Sequence, residues 1–226
     1  MEDNIIPITK VDEINNLGHL MIDLETMGTK TLTSPIVSIG AVEFNLETGE
    51  TGRTFYRLID LQSVFDLGIM PQANTIKWWM SQDVAARQKI IEGKGMNISQ
   101  AIYEFGLFIR ELKPKNLQVW GNSNRFDLGA LEIVYNKLNK EIPWKYSLER
   151  DVRTLVSLAP YIKANTEFVG IKHDPIDDCK HQIKYCSETY NFLCKIKNIF
   201  ENDITQKTKE TQEKIRQIFV NLQKSF

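Results

Sequence analysis

The stretch of sequence that decides the fold reads, from residue 19 to residue 25, His-Leu-Met-Ile-Asp-Leu-Glu. It is apolar enough for a buried β-strand, in which successive side chains point to opposite faces. Asp23 and Glu25 then share one face, and Ile22 and Leu24 point to the other. Two carboxylates at the end of a buried strand are costly unless they are neutralised. The stretch therefore predicts either a charged site or an edge strand whose end is hydrated.

The segments that follow predict a mixed sheet flanked by helices. Further strands are expected at residues 35–44, 53–60 and 117–120, and a hairpin turn at residues 47–50. Helical patterns cover residues 72–92, 98–112, 126–139, 147–158, 176–199 and 205–224. Asn97 and Gln100 have the spacing of a capping box at the start of the second of these helices.

The expected organisation is one α/β domain with an extension at each end. Residues 1–17 form a polar leader, residues 18–200 the domain, and residues 201–226 an amphipathic helix whose apolar stripe contains Ile215, Ile218, Phe219 and Leu222. This stripe suits packing on the domain or on a second copy of the chain, so a homodimer is one of two alternatives.

Composition excludes several classes of protein. Of the 226 residues, 42% are hydrophobic and 25% charged, as in soluble globular proteins. No apolar run approaches the ~20 residues that span a bilayer, and the acidic start Met-Glu-Asp-Asn is unlike a secretory signal, so a cytoplasmic protein without a membrane partner is expected. The net charge of −1 is unlike that of a duplex-coating protein but suits an enzyme that grips a short single-stranded end.

Three cysteines, Cys179, Cys186 and Cys194, follow one another at steps of seven and eight residues, which places them on one helix face. They are interpreted as buried apolar side chains of a reducing compartment. A disulfide set or a thiolate metal site is the alternative, and no cluster of further cysteines and histidines completes it.

Three further residues that could take part in catalysis or metal binding lie at the boundaries of secondary-structure elements. Asp127 lies where a strand gives way to a helix, and the local alternative is a helix N-cap. His173 and Asp178 lie five residues apart around the start of a long helix. There, an acid that favours the positive helix end and a histidine that is hydrogen-bonded in a loop are the local alternatives.

The acidic residues together point to a metal site. Carboxylates from separate segments that approach within ~4 Å repel one another by several kcal/mol per pair, and bound cations relieve that repulsion. Oxygen ligands select hard ions, so Mg²⁺, with Mn²⁺ as a substitute, is expected rather than zinc. Two such ions ~3.5–4 Å apart hold the attacking water and the leaving oxygen of a phosphodiester. A histidine beside that water can act as general base.

Three motifs carry a family resemblance. Asp23-Leu24-Glu25-Thr26, Phe126-Asp127 and His173-X-Pro175-X-X-Asp178 resemble, in that order, the exonuclease motifs of the DEDDh (DnaQ-like) 3′–5′ exonuclease superfamily. The resemblance covers about residues 19–195. Finer features are similar to the group that holds phage exodeoxyribonuclease A, exonuclease VIII and RNase AS: Met27-Gly28, Trp78-Trp79, Trp120-Gly121-Asn122 and residues 173–179. The superfamily implies an RNase H-like fold, a mixed five-stranded sheet with helices packed on it, and the phage-like group implies a bacterial or phage-infected cell.

The resemblance also implies a role for each residue. Asp23, Glu25 and Asp178 would hold the first cation, and Asp23 would bridge to a second cation that Asp127 supports. His173 would be the general base, and Glu25 would also reach the terminal 3′-hydroxyl. The expected activity is removal of nucleoside 5′-monophosphates from the 3′ end of single-stranded DNA.

Other residues are weaker candidates for substrate contacts, each with a structural alternative. Thr26, Met27 and Gly28 would border the terminal nucleotide or simply form a strand-to-loop turn. Trp78 and Trp79, adjacent in a helix, cannot share a face, so at least one is expected in the core while either could stack on a base. Arg150 and Arg153 would grip phosphates or pair with nearby acids.

One position departs from the superfamily pattern, and three other functions stay open, one of which is an endonuclease on the same fold. The alanine that usually follows the histidine by two residues is Pro175 here, which we expect to stiffen the loop. A 3′–5′ exoribonuclease of the RNase AS type is the second hypothesis, since no residue is identified as a reader of the 2′-hydroxyl. A nucleic-acid-binding module without catalysis is the third.

Overall fold

The computed structural model describes residues 17–112 and 116–223, and side chains as far as residue 217. Most of the expected leader and Pro114 lie outside these residues. Five strands are present: β1 (His19–Thr26), β2 (Ile36–Phe44), β3 (Thr51–Leu58), β4 (Gln118–Gly121) and β5 (Glu149–Asp151). The helices are α1 (Leu61–Phe65), α2 (Ala73–Met80), α3 (Val84–Ile91), α4 (Ile98–Glu111), α5 (Asn124–Lys137), α6 (Val152–Val156), α7 (Pro160–Asn165) and α8 (Pro175–Gln223).

The strands form one mixed sheet in the order β3-β2-β1-β4-β5. The pairs β1–β2 and β2–β3 are antiparallel, while β4 runs parallel to both β1 and β5. This arrangement confirms the expected five-stranded mixed sheet and places β1 at its centre. Because β1 and β4 are parallel, the residues that follow them lie at the same edge of the sheet.

The two faces of β1 pack against different helices, as the alternation in residues 19–25 predicts. Leu20, Ile22 and Leu24 join an apolar core with residues of α4 and α5. Met21 joins a second core on the opposite face, which includes Cys179 of α8 and residues of α6. Asp23 and Glu25 therefore point to the face that α8 covers.

The prediction of a helix at residues 147–158 is wrong for residues 147–151. A short 3₁₀ turn (Tyr146–Leu148) is followed by strand β5, and only Val152–Val156 are α-helical. Pairing decides the conformation: Trp120 is in register with Arg150, whose Nε donates to Gln118 Oε1 at 2.9 Å. A three-residue strand is too short to show a period of two, so local sequence gives no signal for it.

Other helix boundaries differ from expectation in ways the chain explains. The pattern at residues 72–92 is two helices separated by Ser81–Asp83, whereas the two helices expected after residue 176 are one continuous helix, α8. No glycine or proline occurs between residues 176 and 226, so no helix-breaking residue separates the two expected helices. Asn97 caps α4 by accepting from Ser99 N, while Gln100 bonds Glu104 instead of closing a capping box.

The cysteines are free, as expected, and the described helices lack the length of apolar sequence that a bilayer crossing requires. Cys179 and Cys186 are buried, whereas Cys194 is partly exposed.

Candidate active site

The acids of β1 and α8 meet where α8 begins. Ligand atoms of Glu25, His173 and Asp178 all lie within 4.8 Å of one another. Asp23, two residues before Glu25, is close enough to Asp178 and Asp127 for their charges to raise its pKa. The fold therefore brings together all five residues that the sequence singles out, from three separate segments.

Asp127 reaches the cluster from the opposite side of β1. Helix α5 begins at Asn124 with Ser123 at the cap position, so Asp127 lies in the first turn of the helix and is not its N-cap. Its side chain is only 5% exposed. Backbone hydrogen bonds at Leu24 and Asn122 hold its carboxylate at the end of β1 and β4.

The loop before α8 positions His173 by its backbone. His173 has φ 66°, a left-handed conformation that non-glycine residues seldom adopt, and its backbone N donates to Asp178 Oδ2 at 2.8 Å. Its ring packs edge-on against Trp78, at 4.9 Å between centroids, and lies 5.9 Å from that of Trp79. One carboxylate oxygen of Asp178 thus fixes the histidine loop.

Asp174 anchors the same loop to two helices. Its Oδ1 accepts from the backbone N of Ile176 at 3.0 Å, which makes it the N-cap of α8. Its Oδ2 pairs with Lys89 Nζ of α3 at 2.8 Å. This ion pair could not be predicted from the sequence, because the partners lie on elements far apart in the chain.

Pro175 fits the start of α8 by packing on β2. It is the first residue of the helix, where a missing N–H costs nothing. Gly40 of β2, the register partner of Asp23, faces it so closely that a Cβ at residue 40 would stand 2.6 Å from the Cβ of Pro175. The proline and the glycine are therefore matched.

Burial raises the pKa of every acid in the cluster, and repulsion between the acids raises it further for Asp23 and Glu25. Burial, then the charges of Asp127 and Asp178, raise the pKa of Asp23 well above its ordinary value. Burial and the charge of Asp23 do the same for Glu25. Burial raises the pKa of Asp127 to about 7 and that of Asp178 to about 6. Without a counter-charge, the cluster holds protons in a range where isolated carboxylates are ionised.

His173 shifts in the opposite direction. Partial burial, and to a lesser degree the charge of Lys172, lower the pKa of its imidazole below the ordinary value of 6.5. The ring is therefore neutral at pH 7 and able to accept a proton.

Gln182 is a site residue that sequence reasoning missed. It lies one turn after Asp178 on α8, is 3% exposed, and its Nε2 donates to Asp23 Oδ1 at 2.7 Å. Its Oε1 is buried and has no hydrogen-bond partner. The signal was its spacing of four from Asp178, which places both side chains on one helix face.

The donor set fits a hard divalent cation. It consists of carboxylate oxygens with one imidazole, and no cysteine thiol belongs to the group of candidate ligands found among the described residues. Oxygen ligands suit Mg²⁺ or Mn²⁺. A cation would also relieve the repulsion that raises the pKa of these acids. Glu25 and Asp178 would hold it, and Asp23 and Asp127 are close enough to each other for their charges to interact.

The two tryptophans have different surroundings. Trp79 is 3% exposed and donates from Nε1 to Thr26 O at 3.0 Å, so it belongs to the core, as expected for at least one of the pair. Trp78 is 42% exposed, and its ring contacts that of His173.

The loop after β1 is held in place by contacts of its own residues with neighbouring parts of the chain. Thr26 Oγ1 donates to Gly28 O at 2.7 Å. A Cβ at Gly28 would stand 2.5 Å from Ser34 Oγ, so this glycine permits a close approach within the chain. Met27 borders an apolar cleft of about 540 Å³ between α2 and α3, which Trp79, Met80 and Ile91 also line.

The two arginines do not lie together. Arg153 of α6 is exposed, and its charge acts on Asp127 and Asp151. Arg150 bonds Gln118 and the carbonyl oxygens of Ser147 and Glu149, near the opposite end of the strands. Arg153 is thus the arginine beside the acidic cluster.

The chain matches a known protein family over most of its length. Residues 18–190 match the model of a 3′–5′ exoribonuclease domain described as Rv2179c-like. This match spans the sheet, all five clustered residues and the first part of α8. None of the curated proteins compared matches the chain in sequence.

Solved structures share the fold at low sequence identity. A full-length 3′-exonuclease has a TM-score of 0.55 and 14% identity, over 78% of this chain and 82% of its own. The nuclease domain of 3′hExo, a DEDDh family member bound to rAMP, has a TM-score of 0.53 and 13% identity, over 76% and 90%. The ExoI–ssDNA complex of E. coli has a TM-score of 0.51 and 17% identity, over 76% of this chain but 39% of its own.

Proposed function

The chain belongs to the Rv2179c-like 3′–5′ exoribonuclease domain family, and on this premise we propose that it is a divalent-metal-dependent exonuclease that removes nucleoside 5′-monophosphates from the 3′ end of a single strand. The observation that carries the proposal is the convergence of Glu25, His173 and Asp178 within 4.8 Å, beside Asp23 and Asp127. The DEDDh superfamily resemblance of the same five residues supports it.

The residues divide the chemistry between them. Asp23, Glu25, Asp127 and Asp178 hold Mg²⁺ or Mn²⁺, which we propose to be two ions per site. When bound, the cations supply charge neutralisation at the scissile phosphate. His173 accepts the proton of the attacking water through its neutral imidazole, because its lowered pKa leaves it unprotonated at pH 7. Glu25, whose carboxylate lies at the end of β1, also recognises the terminal 3′-hydroxyl.

Neighbouring side chains hold the strand end. We assign Trp78 to stacking against a base, because its ring is partly exposed beside His173. Thr26, Met27 and Gly28 border the terminal nucleotide, and Arg153 contributes positive charge beside Asp127. Trp79 and Arg150 act through the fold, since their hydrogen bonds are used within the chain.

Single-stranded DNA is the first candidate substrate, and RNA the second. The similarity of Asp23-Leu24-Glu25-Thr26-Met27-Gly28 and of residues 173–179 to phage exodeoxyribonuclease A supports DNA. The description of the matching family as an exoribonuclease domain supports RNA.

Matched DNA and RNA oligonucleotides of one sequence, labelled at the 5′ end, test both candidates. With Mg²⁺ or Mn²⁺ the products should shorten from the 3′ end and release mononucleotides, and EDTA should stop the reaction. Preferential degradation of RNA would replace DNA with RNA as the substrate. If neither polymer is shortened with either metal, the exonuclease proposal fails.

Two further substrates and one variant define the site. A circular single strand should stay intact, because an exonuclease needs an end, and its cleavage would indicate an endonuclease. Asp23→Asn should remove activity while the circular dichroism spectrum stays that of the wild type. Full activity in that variant would show that the site lies elsewhere.

A further inference from the structure

The distal part of α8, residues 197–217, is exposed along its whole length. Its side chains nevertheless include large apolar groups: Phe200 is 63% exposed, Ile204 64% and Ile215 51%. A helix gains most of its stability from packing an apolar face, and an isolated one is marginal in water. This segment therefore has the composition of a helix that packs on something outside its own domain.

One stripe of large apolar and threonine residues in this segment has the same spacing in both chain directions. The backbone of α8 places Phe200, Ile204, Thr208, Thr211 and Ile215 along one stripe, at steps of four, four, three and four residues. In the sequence, Phe219 continues this series after a further four residues. The midpoint of the series lies between Lys209 and Glu210. A second copy that runs in the opposite direction would therefore bring Ile204 opposite Ile215, and Thr208 opposite Thr211.

The two central threonines suit a buried position. Thr208 Oγ1 donates to Ile204 O at 2.8 Å, and Thr211 Oγ1 donates to Lys207 O at 2.9 Å. Their hydroxyl groups are thus satisfied within the helix, and their methyl groups are free to pack. Burial of the stripe would leave no hydroxyl without a partner.

Charges beside the stripe select the antiparallel orientation. With the two copies antiparallel, Glu201 of one lies beside Arg216 of the other, and Asp203 lies beside Lys214. Lys207 and Glu210 form a third pair on the same principle, and two-fold symmetry repeats each pair. A parallel pair would instead place Glu201 beside Asp203, and Arg216 beside Lys214, which repel.

We propose that residues 197–219 of α8 bind the same segment of a second copy in an antiparallel two-fold pair. The paired stretch is about 34 Å long at 1.5 Å per residue, so the two catalytic domains lie at opposite ends of it. Both active sites stay open to a strand end. This proposal does not depend on the nuclease function.

Sedimentation equilibrium of the full chain tests the association. A dimer is expected, and Ile204→Lys, which places a charge in the stripe, should weaken dimerisation at least about 100-fold. Arg216→Glu should weaken it about tenfold, since two ion pairs become repulsive contacts, and adding Glu201→Arg should restore it. A monomeric wild type, or a dimer that Ile204→Lys leaves intact, would overturn the proposal.

Cysteine cross-linking tests the orientation. In a Cys194→Ser background, mixing the Ile204→Cys and Ile215→Cys chains under mild oxidation should give the mixed disulfide. Each variant alone should stay largely unlinked, because two residues 204 of an antiparallel pair lie about 16 Å apart along the axis. A dominant 204–204 product would show parallel pairing. Unchanged circular dichroism and unchanged cleavage per chain confirm that the variants are folded.

Discussion

The two halves of α8 have opposite surroundings within one continuous helix. Cys179, Ile183 and Cys186 of the first half are buried against the sheet, and Asp178 and Gln182 take part in the acidic cluster. Beyond Lys197 every side chain that the structure describes is exposed. The same helix therefore has two different roles. Where the first half packs on the sheet, Asp178 and Gln182 are held beside the acids of β1, whereas the second half has no such contacts among its described residues.

The largest expected difference between the halves is catalytic. Asp178→Asn should lower the rate of 3′-end cleavage by about 10⁴-fold or more, because loss of a metal ligand removes several kcal/mol of charge stabilisation. Glu213→Gln, the same change in an exposed acid of the second half, should leave the rate unchanged. Single-turnover assays on one labelled oligonucleotide compare them, and equal rates for both variants would contradict the site.

The second expected difference between the halves of α8 is the contribution of their side chains to the free energy of unfolding. Ile183→Ala removes a side chain that is 1% exposed and should lower the free energy of unfolding by about 2–4 kcal/mol. Ile199→Ala truncates a side chain that is 67% exposed and lies off the apolar stripe, so its effect should stay within about 0.5 kcal/mol. Urea denaturation measures both, and similar losses would show that the second half packs on the domain.

The buried and exposed glutamines of α8 give a smaller contrast. Gln182→Ala removes the hydrogen bond to Asp23 and should weaken Mn²⁺ affinity by about 10–100-fold, as measured by isothermal titration calorimetry. Gln206→Ala removes a hydrogen bond to Glu210 on the exposed half and is the matched control. Wild-type Mn²⁺ affinity in the Gln182→Ala variant would exclude a role of Gln182 in positioning Asp23.

The acidic cluster where α8 begins should also make the stability of the metal-free protein depend on pH. Folding raises the pKa of Asp127 to about 7 and of Asp178 to about 6, from 3.8, so the folded chain binds more protons than the unfolded chain between about pH 4 and pH 7. This contribution to stability is therefore lost as the pH rises through that window. Cations bind the ionised acids, so the gain in Tm from Mn²⁺ over EDTA should grow from pH 5 to pH 8.

Differential scanning calorimetry at four pH values measures that gain. Asp178→Asn removes one titrating ligand and should flatten the dependence on pH. A gain in Tm that is independent of pH in the wild type would contradict the raised pKa values.

The sequence was sufficient where a residue's role follows from its own segment. Alternation within residues 19–25 predicts that Asp23 and Glu25 share a face, and it also predicts the two cores on either side of β1. The mixed five-stranded sheet follows from the superfamily resemblance of the motifs.

Features that depend on contacts between distant segments were not predictable in this way. Strand β5 exists because it pairs with β4, although its own three residues carry no strand pattern. The ion pair of Lys89 with Asp174 and the hydrogen bond of Gln182 with Asp23 join residues far apart in the chain. Local patterns contain periodicity and capping, but no information about which side chains the fold makes neighbours.

The contact between Gly40 and Pro175 has a consequence for how the active site tolerates change. Any side chain at residue 40 would push on the first residue of α8, and with it on the loop that carries His173 and on Asp178. A residue without a side chain, in a strand that contributes none of the clustered acids, therefore constrains the positions of the candidate catalytic residues. Engineering of this enzyme has to treat that glycine as part of the active site.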